Sequence, residues 1–230
     1  MPNLRQLTLL LALATGFGGA APVLAADLTV VELFTSQGCS SCPPADANLG
    51  KLAGRADVLA LSFGVTYWDY LGWQDTFGKE EFTARQHGYA RALGNSSVYT
   101  PQMVINGRID LVGQRMPEIE EAIAAQARPA AAAITLAPAM ATISAGAAPE
   151  RAAEVWLVRY EPGPIEIPVA RGENGGRELV ITHAVRELTR LGNWEGAATA
   201  FPLPAGNPGL KRAVLLQAPF NGEILAAATD

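Results

Sequence analysis

Apolar and polar positions follow two regimes along the chain, with a change near residue 129. In the first regime, β-branched runs are separated by stretches with helical spacing. Residues 28–34 form a buried-strand pattern, 45–54 a short helix closing on a glycine, and 57–63 a second strand. A helix between two strands predicts that they pair in parallel. Residues 79–93 set Phe82, Tyr89 and Leu93 on one helical face and stop at Gly94-Asn95. Asn106-Gly107 between two apolar runs predicts an antiparallel hairpin with a type I′ turn. Pro117 then opens a helix carrying Ile119, Ala122 and Ile123, which runs to about Ala127. The order is β-α-β-loop-α-β-β-α.

Beyond Pro129 the helical periodicity gives way to short apolar runs at 132–136, 155–160, 165–169, 212–217 and 223–227. Turn clusters separate them, among them Glu161-Pro162-Gly163-Pro164, Glu173-Asn174-Gly175-Gly176 and Asn221-Gly222. This spacing predicts an antiparallel, β-sandwich-like C-terminal domain over 131–230. Ile181, Ala184, Val185, Leu188 and Leu191 have helical spacing but lie among strands, and they are read as one long strand.

The ends and the charge set the compartment. Residues 1–6 carry Arg5 and no acid, residues 7–17 are apolar, and Val23-Leu24-Ala25 offers small residues for cleavage. Residues 1–25 are therefore read as a signal peptide cut after Ala25, which makes the mature protein periplasmic or secreted. No later apolar stretch is long enough to span a membrane. A formal charge of −5 without a basic run argues against nucleic acid as a partner.

The chemistry concentrates at Ser36-Gln37-Gly38-Cys39-Ser40-Ser41-Cys42-Pro43-Pro44, a strand-to-helix corner holding the only two cysteines of the chain. A helix N-terminus stabilises a thiolate and so favours attack in disulfide exchange. Cys39, expected to be exposed on the turn, is the candidate nucleophile, and Cys42 the resolving thiol. A purely structural bridge is the alternative, although so short a loop removes little unfolded-chain entropy. A closed zinc site lacks ligands, since His87 and His183 lie in different halves. No metal site or cofactor is assigned, and soft-metal (copper) handling by two thiolates stays as a further alternative.

Glu32, on the strand face of Val30 and Phe34, is either a desolvated proton acceptor for Cys42 or a structural carboxylate. Trp68, Asp69, Tyr70 and Trp73 form either a recognition rim over the pair or part of a core.

The stretch 32–46, together with Tyr67-Trp68-Asp69-Tyr70-Leu71-Gly72-Trp73 and Thr100-Pro101-Gln102, resembles a family of secreted bacterial and plant proteins. That family carries a thioredoxin-like domain and is named only as a domain of unknown function. The resemblance implies an α/β thioredoxin-like domain over 27–128. It also implies a cis bond at Pro101 that turns the Thr100 backbone towards the thiols, and a buried acid near Glu32. It supplies a fold and a compartment but no substrate, and thiol–disulfide exchange with the thiols or disulfides of exported proteins is the function expected of the cysteine pair in that setting. A non-catalytic binding module built on the same fold is the competing class.

Overall fold

The strand–helix alternation of residues 28–126 builds a mixed four-stranded sheet. A computed structural model describes residues 28–126 and 130–230; the expected signal peptide lies outside the described residues. The elements are β1 (Thr29–Thr35), α1 (Pro43–Leu52), β2 (Val58–Gly64), a 3₁₀ turn (Asp69–Leu71), α2 (Glu80–Leu93), β3 (Gln102–Ile105), β4 (Ile109–Leu111) and α3 (Met116–Gln126). The sheet runs β2-β1-β3-β4, with β1 parallel to β2 and antiparallel to β3. Asn106 and Gly107 both take positive φ, 48° and 65°, as the expected turn requires, and Arg108 N donates to Ile105 O across it.

Because β1 is buried on both faces, its side chains divide between two cores. Val31 and Leu33 meet Leu49 and Leu52 of α1 and Ile119 and Ile123 of α3. Val30 and Phe34 meet Phe63, Phe82 and Tyr89. A near-continuous apolar run is what a strand covered on both sides demands.

The second region contributes β5 (Ile134–Ala137), β6 (Met140–Ile143), β7 (Ala153–Tyr160), β8 (Pro164–Pro168), β9 (Glu178–Thr182), β10 (Val185–Trp194), β11 (Thr199–Pro202), β12 (Lys211–Gln217) and β13 (Ile224–Thr229). They form an antiparallel sheet β10-β7-β12-β13, a three-stranded sheet β11-β6-β5 and the hairpin β8-β9. Alternate residues of β7 and β12 serve both faces. Val155, Leu157, Val214 and Leu216 pack with Ile134, Ile143 and Trp194. Val158, Tyr160, Ala213 and Leu215 join the core of Phe34 and Phe82. The four-stranded antiparallel sheet is thus a wall shared by both regions.

The described residues form a mixed α/β molecule with four sheets and three α-helices. The segment read as one long strand is two, broken at His183, whose φ is 51°. The break lets Ser62 N donate to His183 O at 3.0 Å and fastens the β9–β10 junction to β2. Register shifts within β10, after Val185 and after Arg190, account for apolar spacings of three that imitate a helix.

Candidate active site

β1 ends at Thr35 and the chain turns through Ser36-Gln37-Gly38, where Cys39 N donates to Ser36 O at 3.1 Å. Cys42 caps α1, and its carbonyl accepts from Ala45 N and Asp46 N. Pro43 and Pro44 occupy the first helical positions, where a missing N–H leaves no acceptor unserved. Cys39 and Cys42 are joined in a disulfide across this first turn, with Cα atoms 5.5 Å apart.

Cys39 is not exposed, contrary to the expectation from sequence: both cysteines are fully buried, while Ser40 and Ser41 between them face solvent. The turn that carries Cys39 is met by the 169–177 loop of the β8–β9 hairpin. Asn174, itself buried, donates from Nδ2 to Gln37 O at 3.0 Å and to Cys39 O at 2.8 Å. Ser40 N donates to Glu173 Oε2 at 2.9 Å, and hydrogen bonding to Ser40, from its side chain first and its N–H second, holds the Glu173 carboxyl below its usual range. Gly172, at φ +77°, comes close enough to Trp73, Leu71 and Gly38 that a side chain there would touch all three.

Two further segments converge on the corner. The Thr100–Pro101 bond is cis, and the Ser41 hydroxyl lies 3.5 Å from Thr100 O and 3.3 Å from Cys39 Sγ. The aromatic stretch is tied in rather than free. Trp68 Nε1 donates to Thr100 Oγ1 at 2.8 Å, and Trp73 Nε1 to Gln37 Oε1 at 2.9 Å. Asp69 accepts from Asp75 N, and Asp75 in turn accepts from Gln37 N at 2.7 Å. Trp68, Asp69 and Trp73 are half-buried, whereas Tyr70 is 78% exposed. Thr100, Trp68 and Asp69 are therefore tied by hydrogen bonds around the pair, with Pro101 next to Thr100 and Tyr70 on the outer edge.

Glu32 is placed elsewhere. On β1 it faces α2, where Arg85 donates to both of its oxygens, from Nε at 2.8 Å and from Nη2 at 3.1 Å. The Tyr89 hydroxyl also donates to Glu32, and Gln217 of β12 closes the network through Arg85 and Tyr89. Burial disfavours the Arg85 charge, but Glu32 and Tyr89 outweigh it and hold the guanidinium above its ordinary range. Burial first, and Glu32 with it, raises the Tyr89 hydroxyl despite the opposing charge of Arg85. These partners give Glu32 a structural assignment between the two regions.

The buried acid beside the pair is Asp46, which lies four residues beyond Cys42 on α1, a spacing that shares one helix face. It is 5% exposed, and its Oδ1 has no hydrogen-bond partner. Burial pushes its carboxyl up to about 7; nearby Thr35 works against that shift and the charge of Asp75 adds to it. An acid in a first helical turn reads from sequence as an ordinary complement to the helix dipole, worth about 0.3–1 kcal/mol. Desolvation is larger here and reverses the expected direction. The spacing Cys42-x-x-x-Asp46 was the available signal. Asn174 and Glu173 had none beyond a turn.

Among the described residues, no group of three or more His, Cys, Asp and Glu side chains could hold a metal ion. His87 is exposed on α2, and His183 Nδ1 lies 3.0 Å from Ala60 O. No described helix is long and apolar enough to cross a membrane.

Among solved structures, a crystal structure of a structural-genomics protein from Agrobacterium tumefaciens is similar over 89% of this chain and 94% of its own. It shares 34% identity, with a TM-score of 0.75. HBP35 of Porphyromonas gingivalis covers 88% of this chain and 74% of its own at 12% identity and a TM-score of 0.59, a likeness of fold alone. No curated protein matches. Residues 30–217 match the family described as protein of unknown function (DUF1223), and the chain belongs to that family.

Proposed function

We propose that this protein performs thiol–disulfide exchange on the thiols or disulfides of exported proteins, through Cys39 and Cys42 held in a thioredoxin-like frame. One observation carries the reading: the only two cysteines form a disulfide at the first turn of α1, where three distant segments converge on them. A bridge closing so short a loop contributes little to stability, so stability alone is a weak reason for its presence. The sheet order β2-β1-β3-β4, with α1 opening at the pair and a cis Thr100–Pro101 bond beside it, supports the thioredoxin-like reading. The C-terminal sheets, with a shared apolar core, support the sandwich-like one.

In the reduced protein the Cys39 thiolate attacks one sulfur of a partner disulfide, and the other partner sulfur leaves as a thiolate. The Cys42 proton passes to the Asp46 carboxylate, one turn along α1. The Cys42 thiolate then attacks Cys39 Sγ, which restores the Cys39–Cys42 disulfide and releases the second partner thiolate. Two electrons have moved from this protein to its partner. The reverse sequence oxidises a partner dithiol.

The test is the reduction potential of the pair, read by thiol trapping across redox buffers. A value near or above about −200 mV marks an exchange-competent pair, and the Cys42→Ser variant then traps a mixed disulfide that Cys39→Ser does not. A value below roughly −300 mV with no trapped partner overturns the reading. The burial of both cysteines favours a second reading, a binding module whose disulfide is structural. That reading expects the second result.

A further inference from the structure

Both cysteines are buried although the residues between them are exposed, and a part of the chain more than 130 residues away is bonded to their turn. That part has the construction of a separate unit. Val169 N donates to Arg177 O and Gly176 N to Val169 O, which closes the loop at its base. Gly175 N donates to Gly172 O, and Arg177 N to Asn174 O, within it. Arg177 Nη1 donates to Asn174 Oδ1 at 2.7 Å and so aims the Asn174 amide at the cysteine turn. The loop therefore keeps its shape without the residues it covers.

Its attachment to the cysteine turn is small by comparison: the two bonds from Asn174, the one accepted by Glu173, and the close approach of Gly172. Where α1 and β9 meet, a groove of about 360 Å³ is lined by Pro43, Asp46, Gly50, Arg177, Leu179 and Thr182 among others.

We infer that the 169–177 loop is a lid over the Cys39–Cys42 disulfide, latched by Asn174 and Glu173, and that thiols reach the sulfur atoms only when this latch opens. The lid also responds to the redox state of what it covers. Glu173 occupies the Ser40 N–H, a donor beside Cys39 that a Cys39 thiolate would also use. The neutral disulfide leaves that donor to Glu173. Reduction places a second negative charge next to it and loosens the latch. Oxidation closes the lid and reduction frees it. This inference rests on the cover over the pair and does not depend on exchange with an exported protein.

The experiment is the rate at which dithiothreitol reduces the folded, oxidised full-length mature protein. Dithiothreitol becomes a cyclic disulfide, and the Cys39–Cys42 bond takes up its two electrons and two protons. Asn174→Ala should be reduced roughly tenfold faster than the parent, the effect of losing two ordinary hydrogen bonds, and Glu173→Ala several-fold faster. Glu173 is an exposed side chain, so its variant carries the test should Asn174→Ala fold poorly. In dilute urea the rates should stay flat, because opening a loop exposes little surface whereas global unfolding exposes much. Rates within twofold of the parent for both variants, or a steep urea dependence in all three proteins, overturn the lid. Trypsin cleavage after Arg171 should be faster in the reduced parent than in the oxidised one, and equal rates overturn the redox response. A potential below roughly −300 mV together with faster reduction of the variants would keep the lid and remove the exchange reading.

Discussion

Among the described residues, Glu32, Asp46 and Asp75 are the carboxylates buried in the cysteine-bearing half, and the first two have opposite surroundings. Glu32 has the guanidinium of Arg85, the hydroxyl of Tyr89 and, through them, the amide of Gln217. Asp46 has a burial nearly as complete, an oxygen without a partner, and a second acid, Asp75, as its charged neighbour. A buried charge with a full set of partners is architecture. A buried acid without them stands ready to change protonation state near neutral pH, and this one lies a single helical turn from a disulfide.

The sharpest way to break the comparison is to strip Glu32 of its cation. Arg85→Ala leaves a charge buried between β1, α2 and β12, and should destabilise the protein by about 3–5 kcal/mol. Chemical unfolding would register this as a large drop in midpoint with the slope unchanged. A loss under about 1 kcal/mol would show that Glu32 does not depend on the pair.

Asp46 should respond in the other direction. Its folded-state pKa, about 7, lies above the unfolded value, so the native state holds this proton where the unfolded chain has lost it. The stability tied to that proton is full below about pH 4 and is lost as pH rises through 7. Asp46→Asn, which resembles the protonated form, should match the parent at pH 4 and exceed it by roughly 2–4 kcal/mol at pH 8. Urea unfolding at the two pH values checks this. The same variant should slow the resolving step of exchange, because the Cys42 proton loses its acceptor.

How much of this was readable beforehand divides along the same line. The corner of Cys39 and Cys42, the parallel β1–β2 pair and the Asn106-Gly107 hairpin are dictated by neighbours in sequence and were legible there. Period two placed Glu32 on the face of Val30 and Phe34, as found. It could not name what covers that face, because Arg85 and Gln217 arrive from 53 residues and, beyond α2, from β12. Asn174 reads as a turn residue, and only tertiary packing brings its amide to the Cys39 carbonyl. The short strands β6 and β11 were not anticipated. In β6 only two apolar positions, Ala141 and Ile143, face inward between the solvent-facing Met140 and Thr142, and β11 starts with Thr199-Ala200, so neither gives a clear pattern; the strands exist because Ala141, Ile143 and Phe201 enter the second core.

A smaller effect sharpens the Glu32 side. Tyr89→Phe removes one donor to Glu32 and leaves Arg85 Nη2 and Gln217 Nε2 each short of an acceptor at 3.0 Å. The expected cost is about 1–2 kcal/mol, the range for a buried network that loses one member. Thermal unfolding of this variant beside Arg85→Ala separates the worth of a hydrogen bond from that of the compensating charge.

The smallest expected effect tests whether geometry or burial sets the difference. Arg55 and Asp57 make a two-point pair of their own, Nε to Oδ1 at 3.0 Å and Nη2 to Oδ2 at 2.6 Å, as well formed as Arg85 on Glu32. Their side chains are 32% and 63% exposed, against 2% and 1% for Arg85 and Glu32. Water solvates either partner of the exposed pair once the other is gone, and salt screens their attraction. Asp57→Asn should therefore change stability by less than about 0.5 kcal/mol, and less still at high salt. If it cost as much as Arg85→Ala, bidentate geometry would be the source of the stabilisation, and the contrast between Glu32 and Asp46 would lose its basis. A negligible cost shows that burial is what makes a lost partner expensive, so that among buried carboxylates the partners decide which one is structure and which is available for chemistry.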